Sequence, residues 1–116
     1  MKGPNGRIAV VDGVRTPFVK AGTAYKDVPM QDLGAFVVKS LAERQSFSTD
    51  CIEEVIFGAV LLDPRTPNWA REVAYAAELP ARVYAHAVSN NCISGLVAAA
   101  DAAQSILLGR ISCGIV

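Results

Sequence analysis

Few side chains in this sequence titrate near neutral pH, where they could switch between acid and nucleophile or base. They are three cysteines, Cys51, Cys92 and Cys113, and one histidine, His86. A thiol reacts through its thiolate, so its surroundings decide what it does. In a parallel sheet the functional edge lies where the carboxyl ends of strands meet the helices that follow. That criterion sorts the cysteines. Cys51 falls just before one expected strand and Cys113 at the start of another, both at the opposite edge. Cys92 alone follows a strand and opens a helix, within Ser89-Asn90-Asn91-Cys92-Ile93-Ser94-Gly95. A thiol there meets the positive end of the helix dipole and free backbone N–H groups, and both favour the thiolate. Gly95, one turn in, lets another backbone come close. A buried structural cysteine is the ordinary alternative for a lone thiol. Position alone brings the nucleophile reading level with it.

His86 is the obvious partner, and chain geometry separates the two. It precedes Cys92 by six residues. Most of these lie in a strand, which puts the side chains on the order of 15–20 Å apart. His86 therefore reads as a strand residue at an edge or interface, and any base for Cys92 lies outside this chain. One imidazole also excludes most histidine-based metal sites. Three cysteines without close spacing suggest neither a disulfide framework nor a zinc site. Arg15, in Arg15-Thr16-Pro17-Phe18, follows the first expected strand at the functional edge, where it could touch an anion or simply fix a loop. Asn68 and Arg71 flank a helix start near that edge; capping and an ion pair account for them. No G-x-G-x-x-G follows the first strand, so a dinucleotide site has little support.

The elements that position these residues alternate. Residues 8–14 (IAVVDGV) are short, apolar and β-branched, as in a strand covered on both faces. Residues 16–28 read as a long loop. Asp27 and Pro29 then mark a helix start. Leu33, Phe36, Val37 and Leu41 give residues 30–44 an apolar helical stripe. Asp50 and Glu53 have capping-box spacing. Residues 55–61 (VIFGAVL) form a second buried strand, with Gly58 marking a bulge or close packing. Asn68 caps a small Ala-rich helix over residues 69–78, stopped by Pro80. Residues 82–89 form a third strand, residues 92–108 the longest helix, ended by Gly109, and residues 112–116 begin a fourth strand. The order β-α-β-α-β-α-β implies a mostly parallel sheet with right-handed crossovers.

Composition narrows the class. The chain has 116 residues, 52% of them hydrophobic and 19% charged, so it suits one domain with a core. Lys+Arg and Asp+Glu are 11 each. Without a basic block, nucleic-acid binding and a polybasic membrane anchor are not expected. No apolar run reaches bilayer length, and MKGPNGRIAVVDG lacks the apolar core of a signal peptide. A reducing, cytoplasmic compartment follows. The helix at 92–108 is apolar almost all round, with Asp101 and Gln104 the main exceptions. Such a helix is normally buried on every side. A domain this small would leave one face wet, so another layer is expected, and the sequence reads as the front part of a larger protein.

Four blocks, in order, resemble the N-terminal part of thiolases (acetyl-CoA acetyltransferases and 3-ketoacyl-CoA thiolases). These are Arg15-Thr16-Pro17-Phe18 with Lys20 and Gly22; Asp32-Leu33-Gly34; Val55-Ile56-Phe57-Gly58-Ala59-Val60 with Asn68, Ala70 and Arg71; and Ser89 to Leu96. The resemblance implies an α/β, thiolase-like layered fold. Its N-terminal βαβαβαβ portion has a mostly parallel sheet and a buried Ala-rich helix, here 92–108. Residues 1–116 would be an N-terminal domain segment, without the coenzyme-A-binding loop domain and the C-terminal half. Cys92 would be the acyl-thioester nucleophile of a cytoplasmic acyltransferase of fatty acid metabolism. It would pass acyl groups between 3-ketoacyl-CoA or acetyl-CoA and coenzyme A, with no separate cofactor or metal. The resemblance also implies a homo-oligomer, dimer or tetramer, paired through the strand at 82–89. The family's Gly-His-Pro histidine and second cysteine follow the region present here, so these 116 residues alone are expected to be inactive. Val19 stands where the family more often has Gly. Two other readings are a non-catalytic truncated subunit or interaction module, and a β-ketoacyl synthase relative. Arg15-Thr16-Pro17-Phe18 favours thiolase over the synthases.

Overall fold

A computed structural model describes residues 6–44 and 48–116. Three helices, α1 (Met30–Arg44), α2 (Trp69–Ala76) and α3 (Ser94–Leu107), enclose three strands, β1 (Glu54–Gly58), β2 (Tyr84–Val88) and β3 (Gly114–Ile115). The strands form one parallel sheet in the order β2-β1-β3. In register, Val55 faces Ala85, Ile56 faces His86, and Glu54 also faces Gly114.

Strand alternation sends β1 to two cores. Val55 and Phe57 pack with Val73, Ala70, Trp69 and Val38 beneath α1 and α2, while Ile56 packs with Ala98 and Ala102 of α3. Burial on both faces is why β1 reads as an unbroken apolar run. The chain steps from β1 to β2, then back past β1 to β3. Right-handed crossovers in opposite directions put their helices on opposite faces, as α2 and α3 are here. The loops leaving β1 and β2 therefore diverge at the carboxyl ends of these two strands, the edge where parallel α/β sheets carry their sites.

Residues 8–14 are a correction: they form no strand. They run outside the sheet, and Val10 and Val11 are 93% and 73% exposed. Apolar, β-branched residues favour a strand only where a partner offers hydrogen bonds. β1 is paired on both sides by β2 and β3, and residues 8–14 pair with neither outer edge, so their backbone has no ladder to join. Asp12 and Gly13 instead hold Arg44 at the end of α1, with Asp12 Oδ1 accepting from Nη2 at 3.3 Å.

The helix α1 has the expected limits but a rotated face. Ala35 and Val38 are its buried residues, and Phe36 is 63% exposed. The reason is its neighbour. α1 lies on α2 through Gly34, where an added Cβ would come within 2.7 Å of Val73 Cγ2. The small side favours close helix packing over the larger Leu33–Phe36–Leu41 stripe. The Asp50–Glu53 capping box does not form either. Ser48 Oγ accepts from the Asp50 N–H at 3.1 Å and starts a 3-10 turn over Thr49–Cys51, while the Glu53 carboxylate accepts from the Ser112 N–H.

The ends of α2 and α3 follow their sequence signals. Asn68 Oδ1 accepts from the Arg71 N–H at 3.2 Å, capping α2. Gly109, at φ 73°, ends α3, and the Arg110 and Gly109 N–H groups close on the Ser105 and Ile106 carbonyls, a Schellman arrangement. Strands and helices are shorter than the sequence patterns suggest, because apolar character persists past the last ladder bond. Val60 and Leu61, for example, lie beyond β1 and are exposed. Only one face of α3 is covered; Leu96 is 72% and Leu108 74% exposed.

The Gly34–Val73 contact gives a direct test. Val73→Ala should cost about 2–3 kcal/mol in transfer and cavity terms. Gly34→Ala, alone, presses a methyl on Val73. Combined, the added methyl enters the space left by Val73, so the two changes should be less than additive in urea unfolding by about 1 kcal/mol. Strict additivity would show that α1 does not pack on α2 here.

Candidate active site

The site sits at the carboxyl ends of β1 and β2. The two strand ends are tied together there. The Ala59 N–H donates to the Val88 carbonyl at 3.0 Å, and Ser89 Oγ donates to the Val60 carbonyl at 3.3 Å. From the other side, Asn68 Nδ2 donates to the Ala85 carbonyl at 2.9 Å, fixing the start of α2 against β2. Asn68 is thus both a helix cap and a cross-strand clamp, a second role its position in the sequence did not suggest.

Gly58 ends β1 against the first turn of α3. A Cβ there would lie 2.3 Å from the Ser94 carbonyl carbon and 2.4 Å from the Gly95 nitrogen. Both neighbours are backbone, so no side-chain movement could make room. Gly58 therefore marks close packing rather than a bulge. Gly95 was the glycine expected to admit another backbone; a Cβ on it would meet nothing within 4 Å. The close approach occurs one residue earlier, against Gly58.

Ser94 organises the loop that carries Cys92. Its side chain is buried. Its Oγ accepts from the Asn90 N–H at 2.8 Å and donates to the Asn91 carbonyl at 2.6 Å, with the Ala59 carbonyl 3.4 Å away. The loop folds back on itself, with Asn90 and Cys92 in a parallel bridge. Asn91 takes a positive φ of 49°, a conformation that Asn tolerates better than most residues. The result lifts Cys92 out of the chain as an exposed thiol two residues before α3. Ile93 at the cap position supplies no side-chain acceptor, so the first-turn N–H groups of α3 are not capped by a side chain beside the thiol. The helix begins at Ser94 rather than at Cys92, because the turn through Asn91 uses those two residues.

The remaining candidates separate from this centre. His86 lies inside β2, half-buried, stacked on Tyr84 at 5.3 Å between ring centroids, with Nδ1 buried and unpartnered. Arg15 does not reach this centre. Without a strand at 8–14 its loop lies along α1 instead, in a shallow groove with Phe36, Val37 and Arg44. There its guanidinium covers the Phe18 ring at 4.8 Å and Nη1 donates to the Thr16 carbonyl. Arg71 lies over Tyr75 at 5.4 Å, on an open groove shared with Arg65, Thr66 and Gln31. Cys51 and Cys113 lie at the amino edge of the sheet, away from Cys92. Partial burial first, then the neighbouring Cys51 thiol and the Glu53 carboxylate, pushes the Cys113 thiol above its ordinary pKa. Among the described residues, no three His, Cys, Asp or Glu side chains gather as a metal site, and no helix is long and apolar enough to cross a membrane.

A parallel α/β sheet whose switch-point loop presents a thiol at a helix start defines a class of nucleophile-bearing folds. The comparisons fix the family. The thiolase N-terminal domain matches residues 8–116. A 3-ketoacyl-CoA thiolase of Pseudoalteromonas translucida is 41% identical over 116 residues, which is 99% of this chain and 27% of that protein. One from Erwinia tasmaniensis is 40% identical over 109 residues, 94% of this chain and 25% of that protein. A thiolase from Ascaris suum, solved in complex with coenzyme A, superposes with a TM-score of 0.80 at 30% identity, over 85% of this chain and 26% of that one. The acetyl-CoA acetyltransferase of Bacillus anthracis gives 0.73 at 31% identity, over 78% and 23%. The chain belongs to the thiolase family and carries its N-terminal domain. It spans about a quarter of the length of the curated relatives it matches.

Ser94 was not singled out by the sequence pattern. Its signal was a small hydroxyl residue opening a helix two residues after the candidate thiol. Ser94→Ala removes the acceptor of the Asn90 N–H and should cost about 1–3 kcal/mol in urea unfolding. A change within about 0.3 kcal/mol of zero would show that the hydroxyl does not hold the loop.

Proposed function

We propose that this chain provides the N-terminal domain and the acyl-accepting thiol of a cytoplasmic thiolase, an acetyl-CoA C-acyltransferase or acetyltransferase of fatty acid metabolism. One observation carries the reading: an exposed Cys92, on the loop that Ser94 holds at the opening of α3, at the carboxyl edge of the sheet. Family membership supports it.

In the degradative direction the Cys92 thiolate attacks the 3-keto carbon of a 3-ketoacyl-CoA. The bond between carbons two and three breaks, and the electron pair leaves on acetyl-CoA, which takes up a proton. The acyl group stays on Sγ as a thioester. Coenzyme A then attacks that thioester, and Cys92 returns as a thiol. Synthesis is the same sequence reversed. The Ser94 N–H is held by the Asn91 carbonyl, and the Gly95 and Leu96 N–H groups of the first turn of α3 are suited to receive the carbonyl oxygen as it gains charge. Each proton transfer needs an acid and a base within hydrogen-bond reach, and His86, inside β2, cannot supply them. Partner subunits pair through β2, an edge strand of this sheet, and the exposed apolar side of α3 suits a further layer.

Two measurements on this chain test the reading. Iodoacetamide labelling, mapped by peptide mass, should modify Cys92 faster than Cys51 or Cys113; the reverse order would overturn the assignment. Acetoacetyl-CoA and coenzyme A should give no multiple turnover with the purified chain and at most a single acylation, absent in Cys92→Ala. Cys92-dependent turnover would mean that the base lies within these residues after all.

A further inference from the structure

We propose that Cys51 and Cys113 form a second thiol site, a dithiol that a peroxide converts to a disulfide across the amino edge of the sheet. The two cysteines are 62 positions apart in sequence, and the fold brings them together. Cys51 closes the 3-10 turn Thr49–Cys51, with Ile52 and Glu53 between it and β1. Cys113 directly precedes β3, the neighbour of β1. The Glu53 N–H donates to the Cys113 carbonyl at 3.0 Å, and the Glu53 carboxylate accepts from the Ser112 N–H. These bonds lock the lead-in segments of the two strands side by side, at the roughly 4.8 Å spacing of paired strands. Cys113 is level with Glu53, so Cys51 lies two positions back along the neighbouring segment, and a small closing of its turn brings the pair into the roughly 4.4–6.8 Å Cα window of a disulfide. Cys51 is near enough to Cys113 to be among the causes that raise the Cys113 thiol.

Access differs between the two. Cys51 is exposed and Cys113 half-buried, so peroxide reaches Cys51 first. Partial burial, then Cys51 and Glu53, holds the Cys113 thiol above its ordinary pKa, which suits it to resolve rather than to attack peroxide. The Cys51 thiolate attacks one peroxide oxygen; the O–O bond breaks, one water leaves, and a sulfenic acid remains. Cys113 sulfur then attacks the Cys51 sulfur; the S–O bond breaks, an S–S bond forms, and a second water leaves. Two thiols and one hydrogen peroxide give one disulfide and two waters, with one electron from each sulfur reducing the peroxide. The Cys51 segment is a short 3-10 turn held by the Ser48 cap, an element able to shift slightly while its strand stays paired. This site is independent of Cys92, which lies at the opposite edge.

The sequence makes the test clean. Cutting after Arg44, Arg65, Arg82 and Arg110 with trypsin releases the three cysteines in separate peptides. The reduced, folded chain is treated with one equivalent of hydrogen peroxide, and remaining thiols are blocked with N-ethylmaleimide. The expected product is a linked pair of the Cys51 and Cys113 peptides, about tenfold or more above any link to Cys92, as proximity dictates. The preference should persist in Cys92→Ser, disappear in Cys51→Ser and in Cys113→Ser, and collapse when the chain is oxidised in urea. Sulfenic or sulfinic acid on Cys51 without the link, or the same mixture of links in folded and unfolded chain, would overturn the proposal.

Discussion

The arrangement around Cys92 depends on one steric fact: the backbone of α3 rests directly on the end of β1. At Gly58 there is no room for a methyl group, since a Cβ would meet the Ser94 carbonyl carbon at 2.3 Å. Close packing of this kind does not yield by fractions of an ångström, because interiors are as dense as organic crystals. The contact fixes where α3 starts. Ser94 is then close to the Ala59 carbonyl, and its hydroxyl bonds the Asn90 N–H and the Asn91 carbonyl, drawing the loop before Cys92 back on the strand ends. The thiol is exposed as a consequence of a buried contact one turn away.

The surrounding fold explains why that contact lies where it does. β1 is central, buried on both faces, and paired by β2 and β3. Its two neighbours come from crossovers that run in opposite directions, so the loops after β1 and β2 diverge at one edge. The thiol is at that edge. The amino edge of the same sheet gathers a different set of groups, Cys51, Cys113 and Glu53, around the start of β1 and β3. One strand thus positions chemistry at each end.

Much of this was legible in the sequence. The strand at β1 reads plainly because both faces are apolar, and α2 and α3 carry their own stop and start signals in Asn68 and Gly109. Cys92 stands out because it alone falls between a strand end and a helix start. What could not be read was pairing. Residues 8–14 have strand character, yet whether they form a strand depends on which edges are free, and that is settled by contacts far away in sequence. The buried face of α1 was hidden for the same reason. Its large apolar residues suggest one stripe, while Gly34 and the flank of Val73 select another. The meeting of Cys51 and Cys113 is wholly tertiary: nothing in a spacing of 62 residues announces it. The role of Ser94 was local, but it lay in a turn geometry that residue types alone do not dictate.

The central claim is that β1 touches the first turn of α3 at Gly58 and thereby positions the Cys92 loop. Nuclear Overhauser spectroscopy of the isotope-labelled chain tests it directly. A strong cross-peak between a Gly58 Hα and the amide proton of Gly95 or Ser94 is the predicted result. Its absence, with all three residues assigned and β1 still paired to β2, would show that α3 stands off the sheet and would contradict the account.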